Sequence, residues 1–135
     1  MPEVFLKQTG KESYRAETPS GLVQFGGQNP GPMSTVAASL AGCFAMSVTD
    51  ALEAMRQNVS DLRIRLSFER RKEEPTTFDS FNMHLTFRGQ GLSPAKLEKA
   101  IRICEETYCP VSVILKRSGA QIKTTYVIEE TKIAA

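Results

Sequence analysis

The chain has 135 residues, 41% of them hydrophobic and 24% charged, which fits one folded domain over residues 1–135 and excludes disordered, fibrous and disulfide-stapled classes. Its formal net charge of +2 is far from the clustered positive charge of a nucleic-acid-binding domain. No apolar run is long enough to span a bilayer, and Met1 to Gly10 carry no basic stretch followed by an apolar one, so the expectation is a cytoplasmic protein with no nucleic-acid or membrane partner.

In chain order, Val4–Thr9, Ser13–Thr18 and Gly21–Phe25 read as three short strands of a meander, separated by turn residues. The glycines and prolines of 26–32 then make a loop. From Ser34 or Thr35, either able to cap it, a helix is predicted through about Gln57. Its first half, Val36 to Val48, is apolar or small on every face, so it should be surrounded by protein; at about 13 residues that stretch is too short for a membrane span.

Past Ser60 the period changes to two. Leu62, Ile64, Leu66 and Phe68 share one face of a strand, and after a charged turn Phe81, Met83, Leu85 and Phe87 share one face of the returning strand. Ser93-Pro94 caps a second helix, whose stripe of Leu97, Ala100, Ile101, Cys104 and Tyr108 carries it to Tyr108. Pro110 breaks that helix and opens a short third one through Lys116, closed by Gly119. A last strand, Gln121 to Glu129, places Ile122, Thr124, Tyr126 and Ile128 on one face.

The reactive side chains are few. Three cysteines in a reducing compartment favour free thiols over a disulfide framework, and the single histidine, His84, leaves no two-histidine metal site. Cys43 sits mid-helix beside Gly42, among small residues that admit another backbone or a ligand; it either packs as a small hydrophobe or reacts if a cation is brought to it. Cys109, capping the short helix, meets unpaired N–H groups that favour a negative sulfur, so a lowered thiol pKa is one reading and simple packing the other. Cys104 reads as core, with a bridge to Cys109 as the alternative. His84 lies on the outward face of its strand, and Arg63, Arg65, Arg70 and Arg71, interleaved with Glu69, Glu73 and Glu74, read as a solvated face.

Asn29-Pro30-Gly31-Pro32-Met33-Ser34-Thr35-Val36-Ala37-Ala38-Ser39-Leu40-Ala41-Gly42-Cys43, together with Tyr108-Cys109-Pro110-Val111-Ser112, resembles the OsmC/Ohr family of osmotically inducible and organic hydroperoxide resistance proteins, closer to its OsmC-like, YhfA-type branch. The resemblance covers essentially the whole chain. It implies an α+β, OsmC-like fold, a central buried helix packed against antiparallel sheets, stable as an intertwined homodimer. It further implies a thiol peroxidase without metal or organic cofactor. Cys43 would attack an organic hydroperoxide, Cys109 would resolve the sulfenic acid as a Cys43-Cys109 disulfide, and a dithiol such as a lipoyl group would reduce that bridge. Arg15, the one arginine of the N-terminal strands, is the candidate partner of the Cys43 thiolate. Met33 and Ser34 stand where the hydroperoxidases carry a helix-start carboxylate. The alternative is therefore a non-catalytic OsmC-like protein that binds a hydrophobic or acyl/thiol small molecule in the dimer-interface pocket.

Overall fold

The structure, a computed structural model, describes residues 1–131. It forms two compact units, Met1–Ala38 and the chain from Ser39 onward. In the first, β1 (Phe5–Gly10), β2 (Ser13–Thr18) and β3 (Gly21–Gly26) form the expected antiparallel meander, with β2 in the middle. The β2–β3 turn is tied by Thr18, whose hydroxyl accepts from the Gly21 amide at 3.1 Å and donates to the Gly21 carbonyl at 2.8 Å. Arg15 stands on the central strand, opposite Lys7 on β1 and Gln24 on β3.

Helix α1 (Pro32–Ala54) begins earlier than expected. Ser34 and Thr35 are inside it rather than capping it, because Pro32, with no N–H to lose and a helical φ already fixed, serves as the first helical residue. Thr35 turns its hydroxyl back to the Gly31 carbonyl, 2.9 Å away. At the other end Arg56 takes a left-handed φ of 60° and the Gln57 amide reaches back to the Leu52 carbonyl at 2.9 Å, a Schellman-type stop that ends the helix three residues before Gln57.

Within the second unit, α1 buries the stripe Leu40, Phe44, Val48 and Leu52, while Met46 on another face is 73% exposed. One chain therefore covers one side of a helix that is apolar on several. The 23-residue helix, with a mean hydropathy of 1.4 over 18 residues, is long and apolar enough by composition to cross a membrane, contrary to the expectation from its apolar half alone. Its buried stripe and polar end, Asp50 to Gln57, are what a core helix of a folded domain also shows.

The sheet of this unit has the order β4-β5-β6, with β4 at Val59–Arg70, β5 at Phe78–Gly89 and β6 at Gln121–Glu130. β4 and β5 are the predicted antiparallel hairpin. β6 instead runs parallel to β5, so the expectation of antiparallel sheets holds for the meander and the hairpin but not here. The reason is the connection: α2 (Pro94–Ile103) and α3 (Pro110–Arg117) carry the chain back along the sheet before β6 starts, and such a crossover delivers a parallel strand. Phe81, Met83, Leu85 and Phe87 on the central strand are buried, joined in the core by Leu97, Ala100 and Ile101 of α2. The opposite face of β5, with Asn82, His84, Thr86 and Arg88, remains in contact with solvent.

Candidate active site

Ser93 caps α2 as expected, its hydroxyl accepting from the Lys96 amide at 3.3 Å. The helix does not run on to Tyr108 as an α-helix. From Cys104 to Tyr108 it widens into one π-helical turn, closed by the Cys109 amide on the Cys104 carbonyl at 3.0 Å. The cause is in the sequence. Pro110 drives its predecessor out of the helical region, so Cys109 is extended at φ −102° and ψ 98°, and the preceding turn relaxes to let the chain leave.

Ser47 then fixes where that turn lies. One helical turn beyond Cys43 on α1, its hydroxyl donates to the Tyr108 carbonyl at 3.0 Å, pinning the segment before Cys109 to the side of α1 that carries Cys43. The two thiols become neighbours, close enough that the Cys43 sulfur helps hold the proton on Cys109. Cys43 is half-buried, whereas Cys109 and Cys104 are fully buried. All three are free thiols. Ser47 was not singled out from sequence; a hydroxyl one turn past a candidate nucleophile was the available signal. Ser112, two residues after Pro110, is wholly buried, and its hydroxyl donates to the Glu105 carbonyl at 3.4 Å, tying α3 to the π-helical turn.

Electrostatics correct one expectation. Cys109 does cap α3, and the Ser112 and Val111 amides pull its pKa down, although the sulfur makes no capping hydrogen bond of full geometry. Burial outweighs them, and together with the neighbouring Cys43 pushes the thiol up to about 11. Cys104 is also pushed up to about 11, by burial first and then by the charges of Cys43, Asp50 and Glu105. Both therefore stay protonated at neutral pH, and Cys104 is core, as its place on the stripe suggested. Arg15 belongs to the N-terminal unit and the three cysteines to the other. Its Nε is shielded from solvent and has no hydrogen-bond partner among the described residues. Adding a Cβ at Gly42, beside Cys43, would meet nothing within 4 Å, so no close approach occurs there within one chain. His84 is away from the thiols' face of the sheet, its Nδ1 2.8 Å from the Thr125 hydroxyl.

The family model described as OsmC-like protein matches residues 25–125, which include both cysteine motifs. The chain belongs to the OsmC-like family. Protein YhfA of Escherichia coli strain K12 is 34% identical over 93 residues, 69% of each chain. The same fold occurs in a hypothetical protein of Aquifex aeolicus VF5, at a TM-score of 0.89 and 24% identity over 98% of both chains. It occurs also in the organic hydroperoxide resistance protein OhrB of Bacillus subtilis, at a TM-score of 0.68 and 16% identity over 94% of this chain and 98% of that one. The OsmC-like fold is thus shared with a named hydroperoxide-resistance protein, while the greater sequence likeness is to YhfA.

The raised thiols have a consequence for stability. Folded Cys104 and Cys109 hold their protons to about pH 11, whereas an unfolded thiol releases its proton near 9. Between those values the unfolded state binds fewer protons, so stability falls as pH rises from about 9 to 11. Urea denaturation at pH 8 and 10.5 should show this loss, and Cys109→Ser, which cannot ionise there, should lose measurably less over the same interval. Equal losses in the two proteins would contradict a raised Cys109.

Proposed function

We propose that this chain is a thiol-dependent peroxidase that reduces organic hydroperoxides to alcohols, with Cys43 as peroxidatic and Cys109 as resolving cysteine. The observation that carries this reading is the placing of a fully buried thiol at the Cys-Pro step beside a half-buried one on α1, held there by the Ser47 hydroxyl on the Tyr108 carbonyl at 3.0 Å. The Cys43 thiolate attacks the terminal peroxide oxygen, the O–O bond breaks, sulfur keeps the hydroxyl as sulfenic acid, and the alkoxide leaves to become the alcohol. Cys109 then attacks the sulfenic sulfur. An S–S bond forms, the S–O bond breaks, and water departs with the thiol proton. A dithiol such as a lipoyl group returns both cysteines to thiols and is itself oxidised to a disulfide.

On this reading Arg15 is the candidate cation for stabilising the Cys43 thiolate. A guanidinium N–H removed from water without an acceptor is costly, which supports an anionic partner for its unpaired Nε. The working unit is a homodimer in a reducing, cytoplasmic setting. Supporting it are apolar side chains left open by one chain, Phe5 at 64%, Leu22 at 60% and Met46 at 73% exposure. Light scattering at micromolar concentration should give twice the chain mass, and a monomer would remove the interface from the account.

One observation favours a second reading. The first turn of α1 carries no acidic residue, so a base or hydrogen-bond partner that could assist thiol activation is missing from that position. On that reading the protein binds a hydrophobic or acyl/thiol molecule and the cysteines only line its pocket. Turnover separates the two. Reduced protein given cumene hydroperoxide and dihydrolipoamide should consume peroxide, and consume hydrogen peroxide more slowly, because an apolar surround admits the bulky substrate more readily than the strongly hydrated one. Cys43→Ser should lose at least about 100-fold in rate, since the nucleophile is gone. Cys109→Ser should reduce about one peroxide per site and then stall or over-oxidise. Equal, slow consumption by wild type and Cys43→Ser would leave the binding reading in its place.

A further inference from the structure

We propose that the solvent face of the β4-β5-β6 sheet holds a second ligand site, built for the phosphate group of a small phosphorylated molecule and centred on Arg65, His84 and Lys123. In sequence Arg63 and Arg65 are followed by Glu69, Glu73 and Glu74, which makes the segment look charge-balanced. The fold takes the last two away, and Glu69, further along β4 opposite Ser80, is outside both groove linings. Glu73 and Glu74 lie in the turn after β4, while Arg63 and Arg65 sit midway along the edge strand β4 on its exposed side, where His84 comes to stand directly opposite Arg65 on β5. The parallel strand β6 adds Thr125 opposite His84, and Lys123 opposite Asn82, on the far side of β5.

Two grooves of about 420 and 260 Å³ lie on this face and share Arg65 and His84. Their linings include Arg63, Arg65, Lys123 and His84 but no carboxylate, in a chain with 15 acidic residues against 17 Lys and Arg. Arg63 is paired with Asp61 at 3.1 Å. The side chains of Arg65 and Lys123 have no ion-pair partner among the described residues. Arg65 and Lys123, on the two strands that flank β5, line one groove, and like charges facing one groove without a counter-charge repel one another. A bound dianion would relieve that repulsion.

The donor set matches phosphate. Arg65 offers a planar fork for two oxygens and Lys123 a point charge. His84 is oriented by its Nδ1 contact with Thr125 at 2.8 Å, which leaves Nε2 available to the ligand. The combined groove space exceeds a single phosphate ion and has room for the remainder of a small monoester. Neither lining contains Phe, Tyr or Trp, so nothing is present on which bases of a nucleic acid would stack. This site is independent of the thiol chemistry.

His84 is the chain's one histidine, so its imidazole carbon-bound proton gives a unique NMR signal at the centre of the site. Reduced full-length protein at constant ionic strength and pH is titrated with inorganic phosphate, glycerol 2-phosphate and acetate. Phosphate or the monoester should shift the His84 signal saturably, with acetate at least about tenfold weaker; the tighter of the first two identifies free ion or ester as the source. Arg65→Ala combined with Lys123→Ala, both exposed and away from the core, should weaken binding at least about tenfold, while Arg117→Ala leaves it unchanged. A linear, non-saturating drift, acetate binding as tightly as phosphate, or equal affinity in the double variant would overturn the proposal. So would single-stranded oligonucleotide binding that outcompetes phosphate and survives the double substitution.

Discussion

The candidate site depends on a single constraint, the proline that follows Cys109. Pro110 cannot let its predecessor stay helical, so Cys109 swings into an extended conformation and the turn before it widens to a π-helical one. Ser47 on α1 then takes hold of the Tyr108 carbonyl at 3.0 Å. Together these set a buried thiol beside the half-buried Cys43, two residues far apart in sequence. Relax the proline and the second helix could continue past residue 108, carrying Cys109 around its axis. The Ser112 hydroxyl on the Glu105 carbonyl secures the same corner from the other side.

That arrangement gives the two sulfurs different environments. Burial holds Cys109 protonated with a pKa of about 11; on the proposed peroxidase reading it waits as a thiol until an electrophilic sulfur appears next to it. At neutral pH its thiolate fraction is about one part in ten thousand, and proximity must make up for that scarcity. Cys43 is the more accessible of the two. Cys104 shares the high pKa and complete burial, but its hydrogen-bonding partnership runs through the backbone of the π-helical turn rather than through its sulfur.

Much of this was legible in the residues alone. Period-two patterns located β4, β5 and β6, the Ser-Pro step located the cap of α2, and the paired cysteine motifs located both the family and the thiols that the fold brings together. What could not be read was tertiary. Burial reversed the direction expected for the Cys109 pKa because desolvation is a property of the packed neighbourhood, whereas the capping position is local. The parallel pairing of β6 came from the path of the connecting helices, and the cationic face around His84 from strand neighbours that sequence spacing does not reveal. The start of α1 moved to Pro32 because two acceptable caps, Ser34 and Thr35, lie just inside a better first residue.

The claim on which the account turns is that Cys43 and Cys109 form the working couple. The most direct measurement is to oxidise the reduced protein with one equivalent of cumene hydroperoxide, block remaining thiols, and map disulfides by peptide mass spectrometry under non-reducing conditions. A Cys43-Cys109 bridge within one chain, with Cys104 recovered as the blocked free thiol, is the predicted product. A Cys104-Cys109 bridge as the main species, with Cys43 left free, would contradict the assignment of both roles.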